Sequence, residues 1–430
     1  MTKPPRLSES DSSFWFERFL PVIVLAQSCA LLGSLLIASY SDARPTEHIS
    51  FYVDDGWCEA SREGIGDHCF GDFYFPQRLM GEDSILENTI GIPHPYFPST
   101  TLFHRVFEVF AAERTGLFVY LVVLAMAGMV PPLVASRGRS WPERVFAVLG
   151  LGVLSLPFLI TIDRGNSAIV GACFGSLALM FSRRGSARAF DVFAVLASLV
   201  RPQYLLLALL SPRQKFSGGL ARVGGAFAFI QTLAFKFDPG YSVGDWSVIF
   251  KKVALFSESS PVERPYVVNL YFGRSLYRVA ERFGAGQGVA QFFSDSLLPS
   301  VVVVTAGLVV CGLARKLRSC HFELSAILIL ALLMIGPSVS YGYYLINSVL
   351  IAVVLMSDGS NAGQPSGLLR WVLLCALAFS LVPFGWLYDE SGMSVSVQLA
   401  GPSWLLVLVL ASWRGGSLVL PELSLGRRRE

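Results

Sequence analysis

The chain has 430 residues, 53% of them hydrophobic and 15% charged, with a formal net charge of +3. Soluble chains carry about 25% charged residues, so this balance excludes a soluble globular enzyme and specifies an all-α, polytopic membrane protein. Nothing in the charge pattern suits a nucleic acid partner; its uneven placement instead orients the chain in a bilayer.

Apolar runs fall at Leu20–Tyr40, Gly116–Ser136, Val145–Ile162, Ser167–Phe181, Phe190–Leu210, Gly219–Phe237, Leu297–Ala314, Leu324–Met334, Leu345–Met356, Leu369–Leu387 and Val397–Trp413. Crossing a bilayer takes about 20 apolar residues per helix, so these runs predict about 10–12 membrane segments in a single integral domain. The polar head Met1–Arg18 precedes the first run without a persuasive small-residue cleavage site, so that run reads as a span rather than a signal peptide.

Short linkers Arg137–Arg144, Arg183–Arg188, Pro212–Arg222 and Arg315–Ser319 carry three basic residues each. Lys3, Arg6 and Arg18 join them from the head, and Arg414 with Arg427, Arg428 and Arg429 from the tail. Excess Lys and Arg in short loops marks the cytoplasmic side of a plasma membrane, with both termini there. Alternation then places Ser41–Thr115 and Asp238–Asp295 outside. The first of these holds thirteen acidic residues against five Lys and Arg, opposite in sign to the linkers.

Phe190–Leu210 lies between two basic linkers, so a single crossing would put one of them outside. Arg201-Pro202 sits in its middle, and proline breaks the helical hydrogen-bond ladder while steering the residue before it away from helix. The run therefore reads as two half-length helices in a hairpin with Arg201 at the outer apex; one kinked helix is the alternative.

Cys29, Cys173, Cys311, Cys320 and Cys375 lie in or beside apolar runs, where cysteine behaves as a small hydrophobe. Cys58 and Cys69 share the first outer loop, with ten residues between them, where an oxidising compartment permits a disulfide. That bridge would hold Asp54, Asp55 and Asp72 near one another. His48, His68, His94 and His104 occupy the same loop, but no spacing resembles a structural zinc site. Ile90–Pro98 is too proline-rich for regular structure. Phe103–Glu113 follows with Phe103, Val106, Phe107 and Phe110 at helical spacing, which predicts a helix along the outer membrane surface.

Asp163-Arg164-Gly165-Asn166 sets two charges between two apolar runs. Charge at that depth costs at least about 2.5–3.5 kcal/mol on insertion scales, so it faces water or a functional cavity. Other polar residues recur at the same outer boundary: Arg201 and Gln203; Asn269, Arg274 and Ser275; Ser338, Ser340, Tyr341, Tyr343, Tyr344 and Asn347. Arginines suit phosphate, a carboxylate can deprotonate an attacking hydroxyl, and amides and hydroxyls suit a sugar. Together they fit an anionic, polyhydroxylated lipid substrate.

At these residues the chain resembles the bacterial glycosyltransferase family 87, integral-membrane enzymes of the GT-C type. The resemblance is diffuse and covers most of the chain. It rests on an acidic first loop ending in Pro95-Tyr-Phe-Pro98, a Gly165-Asn166 step opening a helix, Arg201-Pro202, an Asn269…Ser275 element and a Pro337-Ser338…Tyr343 segment. Such enzymes take polyprenyl-phosphate sugars as donors, and many transfer mannose or arabinose to envelope glycans or glycolipids of actinobacterial type.

The resemblance implies that Asp55, Asp54 or Asp72 is the general base for an inverting displacement. Arg201 and Arg164 would hold the lipid phosphate, and no metal or other cofactor is implied. The family usually has Lys where this chain has Arg201. Its catalytic Asp follows the first span closely, which fits Asp54 and Asp55 by distance but Asp72 by local pattern. A transporter or flippase of a lipid-linked sugar would use the same arginines without a base, and a noncatalytic envelope subunit is a third class.

Overall fold

The computed structural model describes residues 14–41, 73, 97–109, 113–212, 216–237, 246, 284–285, 298–336, 342–357, 365, 367–383 and 395–426. Asp54, Asp55, Asp72, Cys58, Cys69, Asn269, Arg274 and Ser338, with the side chain of Tyr343, lie outside the described residues.

Every regular element among the described residues is helical. A π-helical turn, Trp15–Phe19, leads into α1 (Leu20–Ser41), followed by α2 (Pro98–Arg105) with a 3-10 turn Val106–Val109. Next come α3 (Glu113–Ala135), α4 (Trp141–Ala147) with a π-helical segment Val148–Val153, α5 (Leu156–Arg164), α6 (Ala168–Arg183) and α7 (Ala187–Val200). A 3-10 segment, Pro202–Leu210, precedes α8 (Phe216–Phe237) and α9 (Leu298–Leu317). The chain closes with α10 (Phe322–Ile335), a 3-10 turn Gly342–Leu345, α11 (Ile346–Met356), α12 (Leu368–Leu381) and α13 (Val395–Gly426).

Among the described residues four helical stretches are long and apolar enough to cross a membrane: Trp15–Leu36, Thr115–Ala135, Gly218–Lys236 and Leu399–Val419. Trp141–Val153 and Leu156–Arg164 make a fifth if their 49° bend belongs to one span. Shorter apolar helices fill the centre: α11 is buried along its whole length and α10 along nearly all of it. A helix apolar on every side is stable only when enclosed. The outer helices instead present Leu25, Phe118, Met126, Phe229, Leu308 and Val409 outward. An apolar exterior around an apolar core is the pattern of a membrane-embedded helical protein.

The break before α5 has a local cause. Gly152 leaves helical geometry (φ −107°, ψ −107°), and Ser155 restarts the helix by accepting the Phe158 N–H, with Pro157 in the first turn. Buried Gln27 of α1 donates to Gly150 O at 2.8 Å and to Leu381 O at 3.0 Å, so one amide joins α1, the π-helical segment and the end of α12.

Basic linkers gather at one end of the bundle. The Arg139 and Arg370 guanidiniums lie over the Phe16 and Phe14 rings. Arg183 donates to Ser357 O at 2.8 Å and pairs with Glu323. Arg318 donates to Leu210 O at 3.2 Å, while Arg315 reaches Leu209 O at 3.2 Å and Ser211 O at 3.3 Å. Several of these arginines cap helix C-termini, where unsatisfied carbonyls favour cations.

The expected outer helix begins earlier than its spacing suggested. It starts at Pro98, whose fixed φ suits the first helical position, and turns 3-10 after Arg105. Pro98, Thr100, His104 and Phe107 are buried, while Val106 is exposed.

Candidate functional site

The end of the bundle away from the basic linkers is organised around the turn after α5. Gly165 adopts φ 63°, ψ 38°, a left-handed conformation that glycine takes without a Cβ clash. Its N–H reaches Ile162 O at 3.0 Å and the Asn166 N–H reaches Thr161 O at 2.8 Å, the paired bonds of a Schellman motif. The turn ends α5 at Arg164 and aims Asn166 at the start of α6. Asn166 Oδ1 accepts the Ala168 N–H at 2.8 Å, which fixes the amide.

Arg201 arrives from the other side. As the residue before Pro202 it is extended (φ −142°, ψ 103°), and α7 stops there. Its Nη2 donates to Asn166 Oδ1. Arg164 is 5% exposed and Arg201 8%. Asn166 is neutral, so this bond orients the Arg201 guanidinium without cancelling its charge. Asp163 is half-buried beside Arg164.

The chain doubles back at Arg201. Ser182 Oγ, at the far end of α6, donates to Leu210 O, which places the end of the 3-10 segment level with the start of α7. Fourteen α-helical residues rise about 21 Å at 1.5 Å each. Nine 3-10 residues rise about 18 Å at 2.0 Å each, so the two arms nearly match. Side chains three apart eclipse in a 3-10 helix, and Tyr204, Leu207 and Leu210 form one buried row.

That row lies along Gly171 and Gly175 of α6. A Cβ at Gly171 would come 2.8 Å from the Tyr204 ring and 3.5 Å from the Arg201 stem; one at Gly175 would come 3.8 Å from Leu207. Two glycines one turn apart thus let the segment approach the α6 backbone closely. Tyr204 OH donates to Asn347 Oδ1 of α11 at 2.8 Å, linking the row to the central helix. Tyr344 is half-buried, and its 3-10 turn packs on α5.

The first loop buttresses both halves. Ser99 Oγ donates to Leu199 O at 2.6 Å, and Thr100 Oγ1 to Leu199 O and Val200 O at 3.2 Å, satisfying the last carbonyls of α7 next to Arg201. Gln231 of α8 donates to Ser99 Oγ at 2.6 Å and accepts the Ser99 N–H at 3.1 Å. Tyr120 OH donates to Gly165 O at 2.7 Å. Around the Tyr120 ring sit Phe73 at 4.8 Å, Phe107 at 4.9 Å and His104 at 5.5 Å. Phe73 therefore packs on the ring whose hydroxyl bonds the turn that carries Arg164.

Of the residues expected from sequence, Asn166 and Arg201 are hydrogen-bonded here, Arg164 is buried in the same turn as Asn166, and Asn347 bonds Tyr204 of the adjoining 3-10 row. Gln203 is half-buried and makes no hydrogen bond with a described residue. Tyr204, Tyr120 and Gly171 were missed; a Gly-x-x-x-Gly pair (Gly171, Gly175) was the available signal for the last. No protein-family model, curated protein or solved structure matches this chain.

Proposed function

We propose that the protein is a membrane glycosyltransferase of the GT-C type. It moves a sugar, mannose or arabinose, from a polyprenyl-phosphate donor to an envelope glycan or glycolipid on the extracytoplasmic side. The observation that carries this reading is Arg201, buried at the apex of a doubled-back segment and oriented by Asn166, which follows the buried Arg164 by two residues in the α5 turn. Guanidiniums suit phosphate, and in this reading Arg201 and Arg164 receive one entering from the lipid.

In this reading a carboxylate accepts the proton of the acceptor hydroxyl, whose oxygen attacks the anomeric carbon from the face opposite the phosphate. The C–O bond to phosphate breaks, and polyprenyl phosphate leaves with its new charge against Arg201 and Arg164. A single displacement inverts the anomeric centre. Of Asp54, Asp55 and Asp72, the proposal favours Asp72, because the next residue in sequence, Phe73, is packed on Tyr120. Gln203, Tyr344 and Asn347 supply groups for sugar hydroxyls, with Asn269, Arg274, Ser338 and Tyr343 as further sequence candidates.

One observation favours a second reading, transport of a lipid-linked sugar. The 49° break between Trp141–Val153 and Leu156–Arg164 adds a broken segment to the one at Arg201, and paired broken helices frame transporter sites. Turnover separates the two: a base substitution abolishes sugar transfer in an enzyme and leaves a transporter's binding and flux unchanged.

A further inference from the structure

At the basic end a cavity of about 340 Å³ opens between the C-terminal ends of α3, α6 and α11. Arg137, Arg183 and Arg184 line it, with Val134, Leu179 and Val354 among its apolar walls. Charge accounting distinguishes the three arginines. Glu323 balances Arg183, which also caps Ser357 O at 2.8 Å. Among the described residues the Arg137 guanidinium donates to Met180 Sδ at 3.7 Å and the Arg184 guanidinium lies 6.0 Å from the Phe181 ring. Neither has a carboxylate partner among the described residues.

Three helix C-termini would ordinarily oppose an anion. Here last-turn carbonyls already have donors: Pro132 O takes the Ser136 hydroxyl and N–H, Met180 O the Arg184 N–H, and Val353 O the Ser357 hydroxyl and N–H. Among the described residues two full positive charges face the mouth.

Exposed tryptophans gather at the same end of the bundle as the cavity. Trp141, Trp371 and Trp413 are 76%, 68% and 75% exposed. Trp141 follows the turn that lines the cavity. Trp371 adjoins Arg370, whose guanidinium covers Phe14 while Arg139 covers Phe16, so the two tryptophans share a level. On α13, a Cβ at Gly415 would come 2.6 Å from Leu317, which brings Trp413 to the same end. Exposed tryptophans in one tier mark the headgroup layer.

We propose that this cavity binds the phosphate of an anionic phospholipid, held by Arg137 and Arg184, with the glycerol and upper acyl chains along Val134, Leu179 and Val354. Basic pockets between membrane helices bind anionic headgroups in this way, and a volume of this size falls in the range of small-ligand sites. The site lies at the opposite end of α6 from Asn166, about 24 Å away for 16 helical residues, and does not depend on the proposed transfer reaction.

Native mass spectrometry of the delipidated full chain tests it, with dioctanoyl-phosphatidylglycerol, dioctanoyl-phosphatidylcholine and inorganic phosphate as separate probes. The expected result is phosphatidylglycerol binding at least about tenfold tighter than phosphatidylcholine, lost in the Arg137→Gln/Arg184→Gln pair and weakened in Arg137→Gln alone. Both residues are exposed, so an unchanged melting temperature will show that the variants fold. Equal binding of the two lipids, an unaffected double variant, or displacement of phosphatidylglycerol by equimolar inorganic phosphate would each overturn the proposal.

Discussion

Arg201 and Asn166 are joined by a hydrogen bond across two helix breaks: Arg201 where α7 stops before Pro202, Asn166 where the Schellman turn ends α5. Each residue has left helical hydrogen bonding for a local reason, proline in one case and a left-handed glycine in the other. The bond thus ties two independently specified ends into one site.

Replacing Arg201 or Arg164 with alanine is expected to weaken binding of a polyprenyl-phosphate sugar by at least about 1.5 kcal/mol, the low end for hydrogen bonds to charged groups. Arg201→Lys should be milder, since a point charge still suits phosphate. Equilibrium donor binding in nanodiscs measures this, and undiminished affinity in both alanine variants would remove phosphate from their role.

Tyr204→Phe would leave the buried Asn347 Oδ1 without the donor it now has, a loss of about 1–3 kcal/mol. Gly171→Ala would force a Cβ to 2.8 Å from the Tyr204 ring, an overpacking cost of about 1–3 kcal/mol that also displaces Arg201. Thermal unfolding checks both. A Gly171→Ala protein with unchanged melting and unchanged donor binding would show that the close approach is dispensable.

The features legible in sequence were those with a local cost. Charges flanked by apolar runs exposed the Asp163–Asn166 turn, and Arg201-Pro202 announced its own break because proline lacks a donor and constrains its neighbour. That the second arm is 3-10 rather than α-helical was not legible, since its apolar run has no period that excludes either. Tyr204 lies inside the apolar run Phe190–Leu210, and its partnership with Asn347 depends on α11, far along the chain. The start at Pro98 was hidden by surrounding prolines, which argue against helix everywhere except at a first turn.

Glu323 and Arg183 form a largely enclosed ion pair, with side chains 7% and 16% exposed. Removing one partner of such a pair leaves a charge without compensation, so Glu323→Ala should destabilise the protein by about 3–5 kcal/mol. Chemical or thermal unfolding reads this directly; a loss below about 1 kcal/mol would place the pair among solvent-screened surface bridges.

The basic linkers carry an expected orientation that labelling tests. Cysteines introduced at Gly138 or Lys316 should be protected from impermeant thiol reagents in intact cells, while one at Asp67 should be labelled. The reverse pattern would put the Arg201 end in the cytoplasm.

Cys58 and Cys69 should be joined by a disulfide worth about 2–4 kcal/mol of loop restraint. Alkylation of unreduced protein followed by peptide mapping decides this, and two modified thiols would refute it.

The central claim is that this end of the bundle transfers a sugar, and turnover of the acidic-loop variants tests it most directly. Wild type, Asp54→Asn, Asp55→Asn and Asp72→Asn would be compared in nanodiscs, using radiolabelled polyprenyl-phosphate mannose or arabinose with an envelope lipid extract as acceptor. Asp72→Asn is expected to lower transfer by about 10²–10⁴-fold while donor binding stays nearly intact, the signature of a lost general base. Full transfer activity in all three variants would contradict the glycosyltransferase mechanism.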